Sequence, residues 1–530
     1  LSAAAALAQT ASATAVRLGP EGSPWLWSWT PLAPMNGLGA VAPATVELHS
    51  LLSLPQPRVG LFWTGGNPAA LPDEVDREWG QLSVTSASTS GSYRRPLDPQ
   101  DESVAELSVA GWRPVGDHSA AIGRLAVGRT TLANGTTAAF LQPYGPNPFF
   151  PADTSTPRLN RPTVTLEGAE GWVLGRWRIG LALGYSVLED QSVRTPRPLI
   201  GRDAKSGVTV GVVRAHASGR ARFGFYGRHL GEAENVTLLP NPRTIRVYQL
   251  AGYADVPYSD FTRGGYFRRA DRSGWAWGVG GAGRVGAGAQ SWAVYAEESQ
   301  TDDRQISTLV PNPPTDRWHA SAYRVGAALQ RSLRRDMALA SARAEFTAQR
   351  GSADGPELQG KGIDDRASRL LLTADVRTAA TASPWAGSVL LLVRRDAQNV
   401  DDAATSLNSV VTGWTTGGGA ELDRRVAESA RVALSYTIAR YVPTATIPSA
   451  QGRGVAYQTY IAPALEVAAA GALTQSAAFG VGFPLWSQRE LTIRLWGSAL
   501  APTSQSKLPV FLPRGNRRAW GVSAAIASRR

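Results

Sequence analysis

The sequence contains no cysteine. Disulfides, thiolate nucleophiles and cysteine-held zinc or iron–sulfur sites are therefore excluded. The compartment is not fixed by this, because an oxidising one permits disulfides without requiring them. Long apolar runs are also missing, and mean hydropathy is −0.16. A bundle of membrane-crossing helices, each needing about 20 apolar residues, is excluded. Lysine is scarce: Lys205, Lys361 and Lys507 are the only three in 530 residues, so the net charge of +12 rests on arginine. Those arginines are spread along the chain rather than gathered into a stripe, which argues against a nucleic-acid surface. The five histidines, His49, His118, His216, His229 and His319, show no i, i+3 or i+4 pairing. No metal site is expected from them.

What is present points elsewhere. Tryptophan (17) outnumbers tyrosine (14) and phenylalanine (12), and glycine is abundant (55). Tryptophan suits a membrane–water interface, where one edge is wet and the ring face is apolar. Glycine on strands permits tight turns and close packing inside a barrel.

From about residue 79 the dominant signal is period two. Trp177, Ile179, Leu181, Leu183, Tyr185 and Val187 alternate with Arg178, Gly180, Ala182, Gly184 and Ser186. The pattern returns around Trp385–Val393, Val432–Ile438, Ala477–Leu485 and Trp520–Ile526. Segments of roughly 9–13 residues match a tilted strand that crosses a bilayer and exceed the usual soluble strand. Trp177, Trp275, Trp292, Trp385 and Trp520 open such segments, as an aromatic girdle requires.

Connections alternate in length. Short ones are predicted near 114–118, 174–176, 216–220, 284–288, 332–336, 378–384, 425–430 and 486–489. Long ones are predicted near 132–162, 189–206, 230–274, 300–320, 349–365, 395–410, 442–475 and 500–516. Short periplasmic turns and long external loops are the habit of outer-membrane barrels. Following this parity from 79–93 to 517–528 predicts a closed antiparallel transmembrane β-barrel over 79–530, with about 18 strands (range 16–20). An extra hairpin inside 230–274 or 442–475 would shift the count. Closure is obligatory, since an open sheet edge in hydrocarbon leaves backbone groups unsatisfied.

Residues 1–15 resemble the end of a secretory signal peptide, with Ala13-Thr14-Ala15 as a small-x-small site; the alternative is an Ala-rich tail. Residues 16–78 alternate poorly and read either as a periplasmic or lumenal plug or as a loosely packed tail.

Motifs with chemical content are few. Gly281-Ala282-Gly283-Arg284-Val285-Gly286 has a dinucleotide-binding spacing but lies between strands, so a tight hairpin turn is expected. Asp302-Asp303, Asp364-Asp365 and Asp401-Asp402 are expected in external loops, as solvated charges or divalent-cation ligands near lipopolysaccharide. Asn134-Gly135-Thr136 reads as a turn. The loop Gln142–Pro151 is rich in proline and aromatics, with Tyr144, Phe149 and Phe150 placed to cap a pore or hold a ligand. No residue set points to catalysis, and no cofactor is expected.

Phe62-Trp63-Thr64-Gly65-Gly66-Asn67-Pro68-Ala69-Ala70-Leu71 precedes the first strong strand. Its Asn67-Pro68-Ala69 element resembles the N-terminal region of barrels in the long-chain fatty-acid transporter superfamily. Arg194-Thr195-Pro196-Arg197-Pro198 is placed as in an uncharacterised family of large outer-membrane barrels often encoded beside TonB-dependent receptors. These resemblances imply the fold, a bacterial outer-membrane location, and a transport or accessory role. The terminal aromatic common in such barrels is replaced by Ile526-Ala527-Ser528-Arg529-Arg530, so an internal signal, centred on Trp520, is the expectation.

The functional expectation is a channel or transporter for small or anionic solutes with a plugged lumen. The alternative is a non-conducting subunit that docks a TonB-dependent receptor or lipoprotein through its large loops. Outer-membrane lipid and lipopolysaccharide are the surrounding partners in both cases.

Overall fold

The computed structural model describes residues 59–75, 78–133, 149–153, 158–192, 199–238, 246–251, 253–260, 266–285, 290–307, 316–333, 338–354, 362–378, 384–427, 430–450, 453–455, 457–486, 489–503 and 515–529. The signal-peptide reading, residues 16–58 of the plug reading, Asn134, Tyr144 and Arg194–Pro198 lie outside them.

Eighteen strands form one closed antiparallel sheet. In chain order they are β1 (Trp79–Gly91), β2 (Asp101–Val115), β3 (Ser119–Ala133), β5 (Leu159–Leu174), β6 (Trp177–Ser192), β7 (Leu199–Ala215), β8 (Ala221–Leu238), β11 (Tyr266–Val285) and β12 (Gln290–Ser307). The ring continues through β13 (Asp316–Leu333), β14 (Ala338–Asp354), β15 (Ile363–Thr378), β16 (Trp385–Asp402), β17 (Leu407–Ala427), β18 (Ala430–Thr446), β19 (Ala472–Trp486), β20 (Arg489–Pro502) and β21 (Arg517–Arg529). Each strand pairs with its neighbours in this order, and β1 pairs with β21 from Trp79↔Arg529 to Gly91↔Arg517. The remaining three strands, β4 (Phe149–Asp153), β9 (Arg246–Ala251) and β10 (Ala254–Asp260), make a separate small sheet in the order β10-β9-β4.

The side chains are distributed inside out relative to a water-soluble protein. Leu183, Phe223, Leu391, Leu434 and Leu495 are all more than half exposed on the outer face. Arg228, Arg268, Arg394, Asp190 and Glu297 are buried on the inner one. Lipid is the solvent that makes this arrangement favourable, because apolar surface there loses nothing and the polar row is enclosed. On the inner face, rings lie over glycines on the neighbouring strand: Tyr226 is paired with Gly278, Tyr295 with Gly326 and Trp496 with Gly521. A Cβ on any of these glycines would meet the ring at 2.2–2.4 Å.

The predicted parity holds at the short-turn end. Hairpins close at 116–118, 175–176 and 216–220, with Gly116, Gly175 and Gly219 at φ of 61°, 63° and 66°. Such turns need a residue that accepts positive φ without strain. The strands are longer than expected, 13 to 21 residues, because they continue beyond the apolar band. At the other end, 395–410 is not a long loop but ladder joined by the turn 403–406. Asp402 makes it tight, accepting from the amides of Ala404 (2.9 Å) and Thr405 (3.2 Å). The hairpin inside 230–274 exists as β9–β10, outside the barrel ring. The other open segment, 442–475, holds a π-helical turn (Tyr457–Ile461) followed by the helix Ala462–Ala469.

The strand extension corrects the aspartate doublets. Asp302-Asp303 lies in β12, Asp364-Asp365 in β15 and Asp401-Asp402 at the end of β16. Period two sends the members of each doublet to opposite faces, so neither doublet residue can share a cation with its neighbour. Asp303, Asp365 and Asp402 are buried inside, whereas Asp302 and Asp401 are exposed outside. The glycine-rich motif is likewise strand over 281–285 rather than turn, with Gly283 lying against the Trp292 ring.

Candidate functional site in the lumen

Two segments fold into the barrel, one from each end. At the short-turn end, α1 (Leu61–Gly65), a 3-10 turn (Pro68–Ala70) and α2 (Leu71–Glu74) form a compact hairpin. Gly66 at φ 78° ends α1, and the Asn67 side chain accepts from the Ala69 amide (3.0 Å) to start the next turn. The Glu74 carboxylate returns to α1, accepting from the amides of Phe62 (3.1 Å) and Trp63 (3.3 Å). Burial pushes this carboxyl up to about 7, against the lowering effect of Arg222 and the α1 amides.

The hairpin docks on the wall through a lane of small residues. Gly171 of β5 is opposite Gly180 of β6, and Gly180 is opposite Gly211 of β7; Gly224 of β8 continues the lane. A Cβ on Gly180 would lie 2.3 Å from the Ala69 nitrogen, and one on Gly211 would lie 2.0 Å from Asn67 Oδ1. Only a wall without side chains lets the turn lie flat there. Asn67 Nδ2 then donates to the carbonyls of Val212 (3.4 Å) and Phe225 (3.2 Å). Asp73 pairs with Arg178 (3.1 Å) and Arg222 (3.2 Å), beside the short turns. Leu61, Phe62 and Leu71 fill an apolar cluster with Trp79, Trp112 and several lumenal alanines. Trp112 stacks on Trp79 at 4.2 Å and meets Trp63 edge-on at 5.7 Å.

At the long-loop end, the segment Tyr457–Ala469 turns inward. Tyr457, Tyr460, Ile461, Ala464 and Leu465 are fully buried against Trp318 of β13, Ile363 of β15, Val400 of β16 and Leu407 of β17. Leu97 and Tyr253, from two other outer connections, complete the cluster. The Tyr253 amide donates to Asp402 (2.7 Å), and its hydroxyl meets Ser409.

Between the two ends the wall is charged but matched. Arg161 grips Asp190 with two bonds of 2.7 Å. Arg272 bridges Glu232 (2.8 Å) and Asp303 (2.9 Å), Lys205 joins Glu232 (3.2 Å), and Arg268 joins Glu234. Arg324 and Arg343 share Glu345 (3.0 and 2.7 Å), and Arg369 and Arg394 share Asp396 (both 2.7 Å). Cross-strand pairs of this kind fix register and leave little net charge on the wall.

Of the residues singled out in the sequence, Asn67 and Pro68 meet the glycine lane, whereas Phe149 and Phe150 sit in β4, opposite Ala251 and Leu250 of β9. Trp177 and Trp385 open β6 and β16 at the short-turn rim, each under an arginine (Arg214 at 5.3 Å, Arg424 at 4.7 Å). Trp292 lies near the same rim as the third residue of β12. Trp275 is the tenth residue of β11, not the first, and packs beside His229 at 4.3 Å. Trp520 is the fourth residue of β21, on the long-loop side. Sequence reasoning missed the Tyr457–Leu465 cluster, whose aromatic and apolar residues carry no period-two signature. It also missed the lane, although glycines recur on four successive strands.

A profile of the family of unknown function DUF6850 matches residues 68–527. The chain belongs to that family. The DUF6850 match opens at Pro68, within the docked hairpin, and ends inside the last strand, so it spans nearly the whole barrel. No curated protein matches. Among solved structures, similarity is found to the siderophore receptor PiuA from Acinetobacter baumannii, at 7% identity over 84% of this chain and 81% of that one, with a TM-score of 0.40. The ferric preacinetobactin receptor BauA from the same organism gives 7% identity, 84% and 80% coverage and 0.37. The TodX monoaromatic hydrocarbon channel gives 10% identity, 87% and 92% coverage and 0.30. These scores are low, and the barrel closure of the DUF6850 chain stands on its own strand pairing.

Proposed function

We propose that this protein is a bacterial outer-membrane channel or transporter for small solutes, closed at rest by the Leu61–Glu74 hairpin. The outward apolar band and the enclosed polar wall support a bilayer location. Trp177, Trp292 and Trp385 then form one interfacial girdle, with Trp275 and Trp520 contributing to the other. The observation that carries the functional reading is the glycine lane: a wall shaped to receive Asn67-Pro68-Ala69 is a seat, and a seat implies an occupant that can leave. Because the lumenal arginines are paired with carboxylates, selectivity for anions should be weak, below about tenfold in permeability ratio.

The absence of native cysteine allows a direct test. Asp73→Cys with Arg178→Cys places two thiols across the span of the ion pair, within reach of a bifunctional methanethiosulfonate crosslinker. Planar-bilayer recording should show no conductance when the pair is crosslinked and recovery when the reagent's disulfides are reduced. Equal conductance in both states would refute gating by this hairpin.

A second reading, an accessory subunit that docks a TonB-dependent receptor or lipoprotein, is favoured by one feature. The β4–β9–β10 sheet is assembled from two separate outer connections and stands apart from the barrel ring. Crosslinking from residues of this sheet in native membranes should capture a stoichiometric partner if that reading holds.

A further inference from the structure

The loop that joins β1 to β2 at the long-loop end, residues 92–100, is bound mainly to itself. The Gly91 amide donates to the Gln100 carbonyl (3.2 Å) and closes it. Arg95 grips Asp98 through Nε (2.9 Å) and Nη2 (3.1 Å), and the Arg95 amide donates to the same carboxylate (3.1 Å). Arg94 Nη1 donates to the carbonyls of Pro96 (3.1 Å) and Asp98 (2.6 Å). The charged side chains of the loop are thus occupied within it. Tyr93, Arg95, Leu97 and Asp98 are all buried, so the loop is packed down on the wall rather than raised into solvent.

The wall beneath it is not matched. Glu102, the second residue of β2, faces the lumen and is 1% exposed, and neither of its carboxylate oxygens has a hydrogen-bond partner. Arg517, the first residue of β21, is also 1% exposed. Its Nη1 donates to the Pro99 carbonyl of the loop (3.0 Å), while Nε and Nη2 have no partner. Strand β1 stands between the two: Glu102 is opposite Thr89, and Arg517 is opposite Gly91. That offset sets their Cα atoms about 12 Å apart. Each feels the charge of the other, yet no ion pair joins them. The other charges near Glu102 are taken, Arg161 by Asp190 and Asp98 by Arg95. The Tyr93 hydroxyl is unpartnered too, and its ring packs with Leu500, the residue opposite Arg517.

Nε and Nη2 form the edge of a guanidinium that holds a carboxylate with two bonds. Arg95 uses that edge on Asp98, and Arg161 uses it on Asp190. On Arg517 the same edge is free and enclosed. A buried carboxylate such as that of Glu102 needs donors, and an ammonium supplies three. One anion and one cation already balance each other. The ligand that fits both is therefore neutral overall and charged at both ends.

We propose that loop 92–100, Glu102 and Arg517 form a binding site for a small zwitterion of the amino-acid class, its carboxylate on the free edge of Arg517 and its ammonium on Glu102. The site lies at the long-loop mouth, away from the Leu61–Glu74 hairpin, and does not depend on conduction.

The test is equilibrium dialysis of the full chain in non-ionic detergent against the neutral L-amino acids, each alone. The controls are the N-acetylated form of each, which lacks the ammonium, and the amide form, which lacks the carboxylate. At least one amino acid should be retained at least about tenfold more tightly than both of its controls. Glu102→Gln and Arg517→Gln should each lower that retention by at least about tenfold. Arg518→Gln, at the exposed outward neighbour, should leave it unchanged. Equal retention of the N-acetylated form would reduce the site to one for anions, and equal retention of the amide to one for cations; either overturns the proposal. So does retention of no amino acid, or undiminished retention by Glu102→Gln. If a variant does not fold, the panel on the unaltered chain still decides, because each control removes from the ligand the charge that the missing side chain would hold. The readout is binding, so a silent bilayer recording refutes the channel reading and leaves this result standing.

Discussion

The two inward segments pack on the barrel wall by different physics. The Tyr457–Leu465 segment is held by buried aromatic and aliphatic contact with Trp318, Ile363, Val400 and Leu407. Such contact has no preferred trigger, and it weakens only when volume is removed. The Leu61–Glu74 hairpin also buries apolar residues, but its outer edge is backbone laid on backbone, with Asn67, Asp73 and Glu74 supplying directional bonds. Directional bonds can be exchanged for water or changed by a proton. The first segment is thus a built part of the wall's core, and the second is, on the proposed reading, a releasable one.

Substitutions can break this contrast in order of size. Trp318→Ala should cost about 3–5 kcal/mol in barrel stability, read by urea unfolding in micelles, while leaving the hairpin's gating intact. Gly180→Val drives a side chain into the Ala69 backbone. It should evict the hairpin and raise conductance at least about tenfold, for an overpacking cost of about 1–3 kcal/mol. If it unfolds the barrel instead, the lane is structural rather than a seat. Asn67→Ala removes a turn cap and the bonds to Val212 and Phe225, and should raise open probability about fivefold through roughly 1 kcal/mol.

A proton acts on the same docking contact. The Glu74 carboxyl sits near 7 when docked and at its ordinary value of 4.5 when released. A raised folded value means that the docked state binds the proton more tightly. Its stabilising contribution is complete below the released value and is lost as pH rises through 7. Conductance should therefore increase between pH 5 and pH 8, most steeply up to pH 7, and Glu74→Gln should flatten that response. A response in the opposite direction would mean that the charged carboxylate, through the Phe62 and Trp63 amides, is what holds the hairpin.

The barrel was legible because lipid imposes one rule on every strand, so Trp177–Val187 and its repeats announce themselves. The closing strands and the short turns follow from that rule and from left-handed glycines. Strand ends were less legible. Above the band the outward residues become Asp302, Arg304 and Arg350, and alternation of polar with polar leaves no hydropathy signal. That is why the aspartate doublets read as loops. Asn67 and Pro68 could be noticed as a motif, but their seat is assembled from glycines up to 53 residues apart along the chain, Gly171 to Gly224, and only register brings those together. The long-loop cluster was invisible for the opposite reason, since Tyr457–Leu465 packs by shape and has no period to read.

The seam between β1 and β21 has a kinetic meaning. Trp79 waits for Arg529, and no earlier pairing can substitute for it. Joining such distant positions costs about 3 kcal/mol more loop entropy than closing a ten-residue hairpin. Until that seam zips, both edge strands display unpaired backbone to whatever surrounds them. The cell must therefore escort this chain as an unfinished sheet for the whole interval between synthesis of its first strand and arrival of its last. A chaperone or assembly machine that shields edges, rather than one that buries apolar surface alone, is what its biogenesis demands.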